Sequence, residues 1–157
     1  MKTTIRIKLG RGQTIKKLIM ALLLAGTVLT AVACGASGST LEKNQWLLKS
    51  LGEPDNLKSV LTDTAITATF DGGKGEVRGS SGCNTYFGAY EVNGDKLSVA
   101  EVAATERGCL SPPGVMEQEQ EYLSLLAVAE SFQADDTSLT IKCSDGRQLD
   151  FVKAGDR

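Results

Sequence analysis

The sequence predicts an α+β fold that is mostly β: a curled antiparallel sheet, or partly open barrel, of about seven or eight strands packed on one helix. Short segments that alternate between apolar and polar residues indicate half-buried strands. Turn residues recur between these segments. One segment near residues 115–130 has helical periodicity instead. Such a sheet has to bury one face, which curling around a helix achieves.

The strands are predicted from their period of two. The first lies near residues 45–51, and later ones include "AITATF", "KLSV", "LTIKC" and "QLDFV". Alternate residues of a strand point to the same face. The residues predicted to face the core are Trp46, Leu48, Ile66, Ala68, Phe70, Leu97, Val99, Leu139, Ile141, Cys143, Leu149 and Phe151.

The connections between the strands have typical turn sequences. Asn93-Gly94 and Asp145-Gly146 favour type I′ hairpins, whose central residues need positive φ. The segment "DGGKG", residues 71–75, predicts a further turn between two strands.

The helix follows two prolines, which suit a helix start. Glu117 and Glu119 are placed in its first turn, where they complement the helix dipole. The apolar face is predicted to be Met116, Leu123, Leu126 and Ala127. The polar residues placed elsewhere on the wheel are Glu117, Gln118, Glu121 and Ser124.

Residues 1–33 have the pattern of a secretory signal peptide. Basic residues precede an uncharged run of 16 residues, Leu18 to Ala33, which is short for a membrane-spanning helix of about 20. Ala31-Val32-Ala33 fits the A-x-A rule for signal cleavage. We therefore exclude this segment from the fold.

The residue after the leader is Cys34, and "AVAC" resembles the lipobox of bacterial lipoproteins, with Ala31 where Leu is usual. In that motif the cysteine is acylated and becomes the new N-terminus, so lipid would anchor the chain to a membrane. Plain secretion after A-x-A cleavage is the alternative. Residues 34–44 are predicted to be the lipidated cysteine and a flexible tether, and residues 45–153 the folded domain.

The charge of the exported part excludes some partners. Six of the 17 Lys and Arg residues precede residue 34, and no Asp or Glu does. The remainder has 11 basic against 19 acidic residues, a net charge of about −8. Such a domain has no basic footprint for nucleic acid, and anionic lipid headgroups would repel it.

The residue types argue against most catalytic sites. The chain has no histidine, which excludes Ser-His-Asp and Cys-His sites. The cysteines lack the C-x-x-C spacing of zinc sites, and "GEVRGSSGCN" matches neither phosphate-loop pattern. A glycosidase site with two carboxylates is not excluded by the sequence, because such a site needs only two acidic residues close together in space. We predict no catalytic residue, no metal and no cofactor.

The remaining cysteines have two interpretations. Cys83 and Cys109 flank the hairpin at residues 86–102, so a meander can bring them together. A structural disulfide is expected in an exported domain; a redox-active pair is the alternative. Cys143 is predicted to be a buried, small hydrophobic residue on a strand.

From about Gln45 to Phe151 the sequence resembles the META domain, also called the HslJ-like domain. The residues that carry this resemblance are Gly82, Cys83, Asn84, Phe87, Gly88, Tyr90, Thr105 and Cys109. The resemblance implies a curled antiparallel sheet around a small helix and a place among bacterial envelope lipoproteins linked to heat-shock or antibiotic tolerance. It implies no catalytic residue.

The expected function is that of a non-enzymatic, monomeric cell-envelope lipoprotein, in the outer membrane where the cell has one. It would act by binding or by supporting the envelope under stress. The alternatives are a thiol-disulfide redox protein that uses Cys83 and Cys109, and a pilot or chaperone for another envelope protein.

Overall fold

The computed structural model describes residues 36–155, which belong to one compact unit. Within them the chain forms two helices and nine strands. The elements are α1 (Ala36–Lys43), β1 (Gln45–Glu53), β2 (Asn56–Ser59), β3 (Thr67–Asp71), β4 (Glu76–Ser80), β5 (Thr85–Asn93), β6 (Lys96–Ala104), α2 (Val115–Leu126), β7 (Ala129–Ala134), β8 (Ser138–Cys143) and β9 (Gln148–Lys153). The predicted leader and Cys34 lie outside the described residues.

Eight of the strands close into an antiparallel barrel, because β1 pairs with strands on both of its sides. One edge of β1 pairs with β9, and the first part of the other edge pairs with β3. β2 lies outside this ring and pairs with the second half of β1. The mostly β, curled architecture predicted from the sequence is confirmed. The barrel is closed rather than partly open, and the added strand is the short β2.

The two helices lie at opposite ends of the barrel, as their contacts with the two ends of β4 show. Glu42 of α1 accepts a hydrogen bond from the Tyr90 hydroxyl, and the Tyr90 N–H in turn bonds Gly75 O, just before β4. Glu119 of α2 bonds the Ser81 hydroxyl, just after β4. Each helix therefore covers apolar side chains at one end of the barrel.

The core lies inside the barrel and under both helices. Every residue that the strand pattern predicts to face inward is buried, from Trp46 in β1 to Phe151 in β9. The predicted turns are also confirmed, since Gly94 and Gly146 have φ of 66° and 90° between paired strands. The period of two was therefore sufficient to predict the core face of the strands.

The flexible tether predicted for residues 34–44 is wrong over residues 36–43, which form α1. The side chain of Leu41 is fully buried, and its carbonyl accepts a 2.9 Å hydrogen bond from Trp46 Nε1. The composition "GASGST" is typical of a linker, but most of these residues belong to α1, and burial of Leu41 over the barrel end stabilises that helix.

The second helix is shorter than predicted and buries a different face. It ends at Leu126, because β7 begins at Ala129. The predicted apolar residue Ala127 is exposed, and Met116 and Leu123 are only half-buried. The buried residues are Val115, Gln118, Glu119, Tyr122, Leu125 and Leu126. The helix lies across polar loops as well as apolar strands, so part of its buried face is polar. None of the described helices has the length and apolar character needed to cross a membrane.

Candidate functional site

The tight loop Ser81–Asn84 joins β4 to β5 and lies against α2. Gly82 has φ of 109°, a region that residues with a side chain rarely adopt. Cys83 is bonded to Cys109 across 26 residues, with 5.9 Å between the two Cα atoms. The disulfide predicted from the sequence is thus present, and it fixes the segment after β6 to this loop.

Asn84 uses all the hydrogen-bonding capacity of its side chain. Its amide Nδ2 donates to Arg107 O at 3.0 Å and to Glu119 Oε1 at 2.7 Å. Its Oδ1 accepts from Thr105 Oγ1 at 2.7 Å and from the Arg107 N–H at 2.8 Å. An amide has two donors and two acceptor positions, so this side chain is fully satisfied. Asn84 therefore joins the loop, the chain after β6 and helix α2.

Glu119 is the acceptor at the centre of this cluster and is only 6% exposed. Its Oε2 accepts from the Asn84 N–H at 2.8 Å and lies 2.5 Å from the Ser81 hydroxyl. Burial by itself raises the pKa of this carboxyl. The hydrogen bonds from Ser81 and from the Asn84 side chain and backbone outweigh it, and the pKa of Glu119 is below its ordinary value. Glu119 is thus held as a buried carboxylate.

Two further contacts fix α2 over the end of the barrel. Gln118 Oε1 accepts from the Leu61 N–H at 2.7 Å, on the connection between β2 and β3. The hydroxyls of Tyr122 and Tyr86 lie 2.6 Å apart, and the Tyr86 hydroxyl donates to Thr67 O at 3.0 Å. Burial raises the pKa of Tyr122 well above its usual range, so both phenols remain protonated. The helix is therefore held by polar contacts on several sides.

The residues of the family motif lie in two places. Gly82, Cys83, Asn84, Thr105 and Cys109 come together at the α2 end of the barrel. The other three motif residues, Phe87, Gly88 and Tyr90, follow along β5.

The motif residues of β5 have separate roles in the barrel. Gly88 lies at a register shift between β5 and β6, and a Cβ there would lie 3.0 Å from Ala100 O. The Tyr90 hydroxyl bonds Glu42 at 2.9 Å. Phe87 points outward and is 54% exposed. The motif as a whole therefore maps onto the barrel and its two helix contacts rather than onto one pocket.

The polar cluster has little capacity left for a substrate. In residues 36–155, every buried side-chain nitrogen or oxygen atom has a hydrogen-bond partner. The same residues contain no group of three His, Cys, Asp or Glu side chains placed to hold a metal ion. The contacts of Asn84 and Glu119 are directed at the protein itself, as in a structural network.

A shallow groove of about 510 Å³ runs along one side of α2. Its lining residues are Met116, Glu117, Glu119, Gln120, Leu123 and Ser124. Next to it, the Cys109 N–H lies 3.4 Å from Met116 Sδ. Leu110, the following residue, is 95% exposed.

Cys143 is the free cysteine of the described part of the chain, and it is buried as predicted. Its sulfur lies 3.3 Å from Leu125 O. Burial raises the pKa of the thiol to about 11. This thiol therefore packs between β8 and α2 in its protonated form.

Sequence reasoning missed the roles of Gln118 and Glu119, which it placed on the polar side and in the first turn of the helix. A signal was present: Val115, Tyr122 and Leu126 lie on one stripe of the helix, and residues 118 and 119 belong to the same stripe. Taking Met116 as the start of the stripe rotated the predicted face by about 100°, one residue of an α-helix.

The fold and the loop together define a class: a closed eight-stranded antiparallel barrel with a helix tied by a buried carboxylate to a disulfide-bonded loop. The sequence profile of the META domain matches residues 39–156, three quarters of the chain. The chain therefore belongs to the META domain family.

Solved structures share this fold. A protein from Burkholderia xenovorans, solved by NMR, is 25% identical with a TM-score of 0.62, and the match covers 80% of this chain and 94% of that one. A DUF4847 family protein from Bacteroides vulgatus, solved by crystallography, is 14% identical with a TM-score of 0.55 over 73% and 94% of the two chains. The second likeness shows the fold alone. No curated protein matches this chain.

Proposed function

We propose that this chain is a non-enzymatic lipoprotein of the cell envelope whose META domain acts by binding. One observation carries the proposal. The side chains of Asn84 and Glu119, at the centre of the motif cluster, form their hydrogen bonds with other residues of the domain. A cluster of this kind supports a rigid scaffold. A partner would then bind to the exposed surface around this cluster.

Anchoring through lipid is supported by the leader and by Cys34. Intact mass of the protein extracted from membranes tests it. We expect loss of residues 1–33 and the added mass of acyl chains on Cys34, and we expect Cys34→Ala to leave the membrane fraction. A cleaved chain of unmodified mass would instead mean plain secretion.

The redox alternative is testable on the same protein. Cys83 is only 6% exposed, which limits attack on its sulfur by a partner thiol. With dithiothreitol as the electron donor, we expect insulin to be reduced no faster in the presence of the protein than in the presence of the Cys83→Ala/Cys109→Ala variant. Faster reduction by the natural chain, lost in that variant, would replace the binding proposal with a redox one.

The second candidate function is that of a pilot or chaperone for another envelope protein. The groove along α2 favours this function. Crosslinking of the lipidated protein in cells, followed by purification, tests this role. We expect one envelope protein to be enriched over a control that displays an unrelated domain on the same anchor. Sensitivity of a deletion strain to heat or to envelope-directed antibiotics would test the role in stress.

A further inference from the structure

The groove along α2 contains two apolar side chains, Met116 and Leu123, at one end of the barrel. Met116 and Leu123 are half-buried in the groove, about two turns of helix apart. Leu110 is nearly fully exposed. It lies close to Met116, because Cys109, the residue before it, contacts the Met116 sulfur. A scattered exposed leucine is ordinary, but one next to an apolar groove extends the apolar surface that a partner can cover.

Leu110 is held in place rather than left on a loose loop. Cys109 before it is bonded to Cys83, and the Val115 N–H bonds Pro112 O at 3.2 Å after it. Binding to a segment that is already ordered costs less conformational entropy. The loop therefore presents its leucine in a defined position.

The charged residues of helix α2 all have the same sign. Helix α2 contains Glu117, Glu119 and Glu121 and no Lys or Arg. Glu121 is paired with Lys58, and Glu119 bonds the Ser81–Asn84 loop. Glu117 is exposed, lines the groove and has no ion pair with any described residue. With a net charge of about −8 on the exported part, this surface attracts cations.

The positions of the two helices also indicate which way the groove would face relative to a membrane that holds Cys34. Helix α1 begins two residues after Cys34 and packs on the barrel through Leu41, at the end opposite to α2. Two extended residues span about 7 Å, so a lipid on Cys34 would hold the α1 end close to the bilayer. The α2 end would then face away from the membrane.

We propose that Leu110, Met116 and Leu123, with Glu117 beside them, form a docking surface for a cationic, apolar segment of another envelope protein. The inference rests on the proposed binding function and names the chemistry of the partner. The apolar residues of the partner would cover the three side chains, and a Lys or Arg of the partner would pair with Glu117.

Two synthetic helical peptides test the proposal, one with leucines on one face and lysines on the other, and one with glutamates in place of the lysines. Binding is measured by NMR shift changes on the chain without its predicted leader, residues 34–157, carrying Cys34→Ser. We expect the lysine peptide to shift the signals of residues 108–117 and of Leu123. Leu110→Ser should weaken binding by about tenfold or more, from the loss of one buried leucine. Glu117→Gln should weaken it a few-fold and reduce its salt dependence.

Phe87→Ser is the matched control, because Phe87 is an exposed apolar residue on the barrel wall; it should leave affinity unchanged. Equal binding of the glutamate peptide, no binding of either peptide, or an unchanged affinity of Leu110→Ser would overturn the proposal. So would a dimer that Leu110→Ser dissociates, since the occupant would then be a second copy of the chain. None of these results affects the acylation of Cys34, so intact mass tells the two proposals apart.

Discussion

At the scale of single residues, one carboxylate organises the α2 end of the barrel. Glu119 accepts hydrogen bonds from Asn84 and Ser81, which lie 35 and 38 positions away in the sequence. Removal of such an acceptor leaves buried N–H groups without a partner, which costs more than the bond itself contributes. The residues of this cluster should therefore dominate the stability of the loop.

Glu119→Gln should destabilise the folded protein. The new amide places N–H groups where N–H donors already point, so we expect the free energy of unfolding at pH 7 to fall by about 2–4 kcal/mol. Urea denaturation measures it. Glu117→Gln, on the exposed side of the same helix, should change it by less than about 0.5 kcal/mol. Equal effects of the two substitutions would contradict the role given to Glu119.

The pH dependence of stability follows from the same carboxyl. Its pKa is lowered in the folded protein, so its contribution is complete above its ordinary value of 4.5 and is lost as the pH falls through the lower, folded-state pKa. We therefore expect the stability difference between the natural chain and Glu119→Gln to shrink as the pH falls below 4.5. Urea denaturation at a series of pH values checks this. A difference that stays constant down to pH 2 would show that Glu119 has no lowered pKa.

At the scale of elements, a loop and a short helix depend on features that are easily overlooked. The loop between β4 and β5 turns through Gly82 at φ of 109°. Helix α1 depends on the burial of Leu41. Each can be tested with a substitution that has a matched control.

Gly82→Ala should destabilise the protein by about 1–3 kcal/mol, because alanine is strained at positive φ. The nearest side-chain atoms would lie 3.6 Å from the new Cβ, so the cost comes from the backbone rather than from a clash. Gly108→Ala is the control, since that Cβ would meet no atom within 4 Å. Thermal denaturation measures both, and an unperturbed Gly82→Ala would mean that the loop adapts.

Leu41→Ala should lower the free energy of unfolding by about 2–5 kcal/mol, as expected for a fully buried leucine. The same substitution at Leu110, which is 95% exposed, should change stability by less than about 0.5 kcal/mol. Chemical denaturation compares the two variants. If Leu41→Ala has no effect, residues 36–43 behave as the flexible tether that their composition suggests.

The sequence predicted local features well and long-range ones poorly, for a physical reason. The core side chains of β3, β8 and β9 follow from alternation, a property of neighbouring residues. The disulfide was predictable because Cys83 and Cys109 flank the hairpin at residues 86–102, and a meander of neighbouring strands can bring its two ends together. The bond between Glu119 and Asn84 joins two surfaces that the sequence does not place together, and a polar residue on a helix is read as exposed. The closure of β1 onto β9 likewise depends on the twist of the whole sheet.

At the scale of the whole molecule, the disulfide is a constraint on the unfolded chain more than a local contact. It closes a loop of 26 residues that contains β5 and β6, between the two segments that Asn84 also joins. On the chain-entropy model such a crosslink stabilises a protein by about 3–4 kcal/mol. The Cys83→Ala/Cys109→Ala variant should therefore have a free energy of unfolding lower by this amount, measured by urea denaturation. Reductant should destabilise the natural chain but not the variant.

Cys143→Ala is the control for this experiment, because it removes a buried sulfur without touching a crosslink. We expect it to cost about 1 kcal/mol, as for the deletion of one buried heavy atom, and to leave the response to reductant intact. A thiol reagent should label no cysteine of the folded domain, and one once it is unfolded without reductant. If three thiols were labelled under those conditions, Cys83 and Cys109 would be unpaired, and the hydrogen bonds of Asn84 and Glu119 would have to hold the loop alone.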